Sequence, residues 1–250
     1  MSAWLDPVHS ALDRVPQPVT FFFRNDDAGW EDRRLFELLD LFHQFAAPID
    51  LAVIPEALQP HLAGELRRRA ESNPAVGLHQ HGFAHVNHEL EGRKCEFGAA
   101  RDPELQRRDI ARGRELLAEQ LGGCVDSIFT PPWNRCTRQT GECLTQLGFA
   151  ALSRESGAAP LEVDGLAELP IHVDWFARRK GVHIGREEWA LQLAGRLTVS
   201  STVGIMFHHG WMDAEERDRT GQLLHILTTH SQSQCSSMRS LVAQPVGTHR

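Results

Sequence analysis

Short runs of apolar, β-branched and aromatic residues alternate along this chain with stretches of helical periodicity. That alternation restricts the fold more than any other feature. VTFFFR (19–24), IDLAVI (49–54), AVGLHQ (75–80), SIFT (127–130), GFAALS (148–153), AELPIHV (167–173) and GIMFHH (204–209) read as seven strands. Between them, Leu35, Leu38, Leu39 and Phe42 share one face of a helix over 31–45. Further helices are expected over 59–71, 103–121, 137–147, 186–199 and 214–229. Strand–helix alternation implies parallel βαβ units. Seven of them without a linker imply an α/β fold in one domain over 1–230, a distorted (β/α)7 barrel resembling a TIM barrel. The polar stretch from 231 to 250 reads as a loosely ordered tail.

A net charge of −7 excludes a nucleic-acid partner, because phosphate recognition needs a basic field. The chain has no run of apolar residues long enough to span a bilayer and no export signal. A cytoplasmic location is therefore expected. Five cysteines, odd in number and without a CxxC pair, argue against a disulfide framework and against a cysteine-held zinc. GxSxG, P-loop and GxGxxG motifs are absent, and His85-Val86-Asn87-His88-Glu89 is not HExxH.

In a parallel barrel, functional groups collect just past the C-terminal ends of the strands. Here those ends carry Arg24-Asn25-Asp26-Asp27, His79-Gln80-His81, Pro131-Pro132-Trp133-Asn134, His172-Val173-Asp174-Trp175 and His208-His209. Five elements thus aim ionisable or aromatic groups at one rim. His81 and His85, spaced i, i+4, would share a helical face and one cation. Asp27 would complete an open His₂-carboxylate set, leaving Asp26 to act as a base. Each pair also has a plainer reading: solvated histidines at a helix start, or an acidic turn capping a helix near Trp30.

Taken in order, these motifs resemble the polysaccharide deacetylases of the NodB-like type, carbohydrate esterase family 4. Asp26-Asp27-Ala28-Gly29 is similar to the family's first motif with one residue inserted. The pair His81 and His85 resembles its second, and Phe129-Thr130-Pro131-Pro132-Trp133-Asn134 its third. Asp174-Trp175 resembles the fourth motif and Ile205-Met206-Phe207-His208 the fifth. The long segment after the histidine pair, with His88, Glu89, Glu96 and Phe97, resembles a divergent cytoplasmic subgroup associated with glycan assembly.

The resemblance implies that Asp27, His81 and His85 bind a divalent metal ion, zinc in most members, and that Asp26 is the catalytic base. It further implies that the Trp133 backbone N–H supports the oxyanion, that Asp174 orients the base's arginine, and that His208 protonates the leaving group. His209 competes with His208 for that role, since only one of two neighbours on a strand faces the site. Where the family commonly has an arginine this chain has Thr130, with Arg24, Arg135 or His172 as candidates to replace it. His79 is expected to pack as a hydrogen-bonded neighbour, while Trp133, Trp175 and Trp211 could pack in the core or stack on a sugar. The implied substrate is an N-acetylated sugar or glycan intermediate, lipid-linked or nucleotide-linked. Two alternatives stay open: a metal-dependent hydrolase of a non-sugar amide, or a catalytically silent barrel used for binding.

Overall fold

A computed structural model describes residues 3–243. Its strands are β1 (Val19–Ala28), β2 (Ile49–Val53), β3 (Val76–His81), β4 (Val125–Thr130), β5 (Ala151–Leu152), β6 (Ala167–Glu168), β7 (Ile171–Asp174), β8 (Arg178–Arg179), β9 (Val182–His183), β10 (Thr202–His208) and β11 (Ser233–Cys235). The helices are α1 (Asp6–Leu12), α2 (Asp32–Gln44), α3 (Pro60–Ser72), α4 (Pro103–Leu121), α5 (Arg138–Gln146), α6 (Arg186–Leu197), α7 (Ala214–Thr229) and α8 (Met238–Ala243).

One parallel sheet runs in the order β6-β5-β4-β3-β2-β1-β10-β7, with β11 added beside the start of β1. Its two ends, β6 and β7, are the halves of the single strand expected over 167–173. Pro170 has no N–H to give a ladder, so the strand breaks there. The first half pairs with β5 and the second with β10, which curls the sheet into the distorted (β/α)7 barrel. The β8–β9 hairpin after β7 is antiparallel and was not expected from the sequence.

Side-chain alternation along β1 explains both layers. Phe21 and Phe23 point outward into the large cluster under the helices, with Leu35, Leu38 and Phe42 of α2. Burying each such side chain stabilises the fold by about 1.5–3 kcal/mol. Phe22 points into the barrel, where it meets Ile128, Ile171, Met206 and Met238. Arg24 and Asp26 lie on that same inward face and are buried.

The expectation of a loosely ordered tail from 231 is corrected for the residues described; 244–250 lie outside them. β11 pairs with Val19–Phe21 and α8 follows, with Met238 fully buried in the barrel interior. The Met238 N–H donates to Asp50 Oδ2 at 2.9 Å. The segment's polar composition hid a short apolar anchor, Met238 with Leu241 and Val242 packed behind it. Among the described residues, no helix is long and apolar enough to cross a membrane.

Candidate active site

The first carboxylates arrive on the end of β1, where the pairing with β2 shifts register between Asn25 and Ala28. Asp27 there has φ of 66°, a left-handed conformation that a non-glycine residue adopts at a cost. The bulge turns Asp27 toward the barrel mouth, although its neighbour Asp26 already faces inward. Strict alternation would have sent the two to opposite sides.

The Asp27 carboxylate meets both histidines of the second motif. Its Oδ1 lies 3.2 Å from His81 Nε2 and 3.3 Å from His85 Nε2. One ligand atom from each of the three residues lies within 4.8 Å of the others. The expected helical turn for this pair is corrected. β3 ends at His81, Gly82 follows with φ of 56°, and His85 has φ of 58°. A non-helical loop carries His85, and buried Glu96 holds that loop. Glu96 accepts the N–H of Phe83 at 3.2 Å and of Ala84 at 2.8 Å. A Cβ on Gly82 would approach Glu96 to 2.2 Å and Pro132 to 2.6 Å, so the turn needs glycine for space as well as for its φ.

The tautomer of His81 tests whether a cation fits. Its Nδ1 lies 3.0 Å from the Thr130 carbonyl and must donate, which leaves the Nε2 lone pair aimed at a carboxylate oxygen. Two lone pairs face each other unless a proton or a cation stands between them. Burial works against a proton on His81, but its hydrogen bond to Asp27 and the charges of Asp26 and Asp27 raise its pKa all the same. Burial likewise opposes charge on Asp27, and the hydrogen bonds from His81 and His85 outweigh it, holding the carboxyl well below the usual range. Two imidazole nitrogens and a carboxylate oxygen suit a divalent ion such as zinc. The residues fit the group. A second His/Asp cluster, His9, Asp13 and His230, fits poorly. There His230 Nδ1 accepts from the Gln232 N–H, so its Nε2–H is the donor to Asp13 at 3.1 Å.

Arg24 fills the place left by Thr130. Its Nε donates to Asp26 Oδ1 at 2.7 Å and its Nη2 to Oδ2 at 2.9 Å, and the side chain is fully buried. Ser153 at 2.8 Å and Asn134 at 2.6 Å fix the rest of the guanidinium. Burial alone would raise the Asp26 pKa, but the charges of Arg24, His81 and His208 outweigh it and lower the value. Thr130 instead bonds His79 at 2.9 Å, and burial drives the pKa of that histidine down to about 3. His79 is therefore a neutral packed neighbour.

The two histidines at the end of β10 part company. His208 sits beside Asp26 in the ladder, and its Nε2 lies 4.0 Å from Asp27 Oδ2. Its ring stacks on Trp211 at 5.4 Å. His209 turns away and is buried, held by Asn25 at 2.9 Å and by the Trp30 carbonyl at 2.6 Å. Asp174 accepts the Phe176 N–H and bonds no arginine, contrary to the orienting role implied for it. Burial raises its pKa, with the charge of His208 the largest effect that opposes the rise.

Trp133 occupies a tight turn after β4 with φ of 57°, its ring 4.5 Å from that of His85. Its N–H belongs to the first turn of a 3₁₀ helix, where such donors have no partner within the helix. Trp175 packs against Trp4, Trp189 and Phe207, which rules out sugar contact. Trp30, which the sequence did not single out as a site residue, stands over His85 at 5.1 Å and is 44% exposed.

Solved structures share this architecture. A protein provisionally described as a polysaccharide deacetylase from Mycobacterium smegmatis superposes with a TM-score of 0.68 at 16% identity, over 92% of this chain and 90% of that one. A family 4 acetyl xylan esterase from Clostridium thermocellum, in complex with a cobalt ion, gives 0.57 at 14%, over 89% of each chain. This is the fold of the family 4 carbohydrate esterases. The fold alone does not decide activity. A mutant of a pseudoenzyme of that family, with restored enzymatic activity, also matches, with a TM-score of 0.59 at 10% identity over 91% of this chain and 68% of that one. No protein-family model and no curated protein sequence matches the chain.

Proposed function

We propose that the chain is a metal-dependent deacetylase that hydrolyses the acetyl group of an N-acetylated sugar or glycan intermediate, one linked to a lipid or a nucleotide. The observation that carries this reading is the convergence of Asp27, His81 and His85 beside the Arg24–Asp26 pair and His208. A divalent cation held by the three ligands, zinc being the expected one, would acidify a water molecule and polarise the acyl carbonyl.

Asp26 takes the proton from the attacking water. Arg24 occupies one lone pair on each of its oxygens, so lone pairs remain to receive it, and the lowered pKa keeps the carboxylate ionised near neutrality. The Trp133 N–H donates to the oxyanion that develops on the acyl carbonyl oxygen. His208 passes a proton to the departing amine, a task suited to an imidazole, and Asp174 supports the charged ring. Trp133, Trp211 and Trp30 offer apolar faces around the reaction centre for a sugar ring.

Acetate release from acetylated sugars, set beside formyl, ureido and polyamine amides, tests the assignment. Turnover of a sugar that is lost in Asp26→Asn supports it. Turnover confined to the small amides supports the alternative hydrolase, and sugar binding that neither depends on a metal nor changes in Asp26→Asn supports a silent barrel.

A further inference from the structure

Beyond His208 and Asp174 the cleft continues past Trp133 and Arg135 to Glu155 and Ser156, with a volume of about 410 Å³. Cations that the reaction does not use gather on its Trp133 side. Lys94 Nζ lies 5.9 Å over the Trp133 ring. Arg135 Nη1 donates to the Lys94 carbonyl at 2.9 Å, while its Nε is buried with no hydrogen-bond partner. Arg93 stands close enough for its charge, after burial, to depress the Arg135 pKa. The carboxylate at this lip, Glu155, is 4.0 Å from Arg93 and is half exposed.

Three cations against one carboxylate stand at this lip, on a chain of net charge −7 in which many arginines pair with a carboxylate, as Arg68 does with Glu65 and Arg107 with Glu104. Like charges brought together repel, and the repulsion is relieved when an anion joins them. A guanidinium presents several N–H donors, and those that the Lys94 carbonyl does not engage are suited to an oxyanion.

We propose that this lip is an anion subsite, in which Arg135 with Lys94 and Arg93 holds a phosphoryl or carboxyl group of the substrate while the acyl group lies between Asp27 and His208. The orientation of the substrate rests on the deacetylase reading; the binding of the anion does not. The Trp133 ring neighbours both ends, 4.5 Å from the His85 ring and 5.9 Å from Lys94 Nζ.

Calorimetric binding of N-acetylglucosamine, its 1-phosphate and N-acetylmuramic acid separates neutral, phosphoryl and carboxyl ligands. Wild-type protein is expected to bind at least one anionic sugar about tenfold more tightly than the neutral one, a preference that weakens with salt. It should persist in His81→Ala, disappear in Arg135→Gln and shrink in Lys94→Gln. Equal affinity for all three sugars, no binding of any, or a preference that survives Arg135→Gln would overturn the subsite. So would a preference lost in His81→Ala, which would put the anion on the metal instead. Should acetate release fail while the anion preference holds, the deacetylase reading falls and the subsite stands.

Discussion

Arg24 and Asp26, two residues apart on one strand, form a buried bidentate ion pair at 2.7 and 2.9 Å that faces the barrel interior. The pair places the arginine upstream of the carboxylate it serves, whereas the resemblance locates it across the barrel at the position of Thr130. Removing one partner of a buried pair leaves the other uncompensated. Arg24→Gln is therefore expected to lower kcat by about 10²–10⁴-fold, the range attributed to a positioned base. The acidic limb of the kcat/KM profile should move to higher pH, because Arg24 is the leading charge that lowers the Asp26 pKa. Arg24→Lys should fall between, keeping the charge without the fork. An unmoved acidic limb in a folded Arg24→Gln protein would speak against the role.

Glu96 acts on the site only through the backbone of the loop that bears His85. Such outer supports are worth about 10–100-fold in metal affinity. Glu96→Ala is expected to weaken zinc binding by that factor in a chelator competition, with the melting temperature of the metal-free protein changed far less than its affinity.

His208 and His209 should separate cleanly. His208→Gln is expected to cost activity by about 10²–10⁴-fold with unchanged thermal stability. His209→Ala removes partners from Asn25 and the Trp30 carbonyl and should cost about 1–3 kcal/mol of stability, measured by denaturant unfolding. The reverse pattern would exchange their roles.

Asp50 gives the fold a pH dependence unrelated to the site. Burial, helped by the charge of Asp126, lifts its pKa from 3.8 to about 7, and one of its oxygens has no hydrogen-bond partner. Between those values the folded chain keeps a proton that the unfolded chain has lost, so stability falls as pH rises through this window and levels off above it. At about 1.4 kcal/mol per pH unit the loss reaches a few kcal/mol at most. Asp50→Asn is expected to melt at a higher temperature than wild type at pH 8, with the gap narrowing toward pH 4. A gap independent of pH would contradict this.

The barrel was legible in the sequence because its strands are buried on both sides and its helices keep clean apolar stripes, as Leu35, Leu38 and Phe42 do. Asp27, His81 and His85 were legible because parallel topology puts strand ends together. The bend at Pro170 had a visible signal, a proline inside a strand pattern, that was read through. Arg24 lies on the same strand face as Asp26, and that spacing could have singled it out among the candidate arginines. Glu96 and Trp30 could not be found this way, since their contacts depend on loops whose paths no periodicity fixes. The α8 plug rests on Met238, with Leu241 and Val242 packed behind it, a short apolar patch in a polar stretch.

The shared cation is tested most directly by titrating zinc into chelator-stripped wild type, Asp27→Asn and His81→Ala, with proton release followed in parallel. Wild type should take up about one equivalent and release protons as it does so, because a ligating imidazole gives up any proton on the nitrogen that binds the cation. Either variant should bind at least about tenfold more weakly. Wild-type protein that binds no zinc, or variants that bind it as tightly, would contradict a metal centre formed by Asp27, His81 and His85.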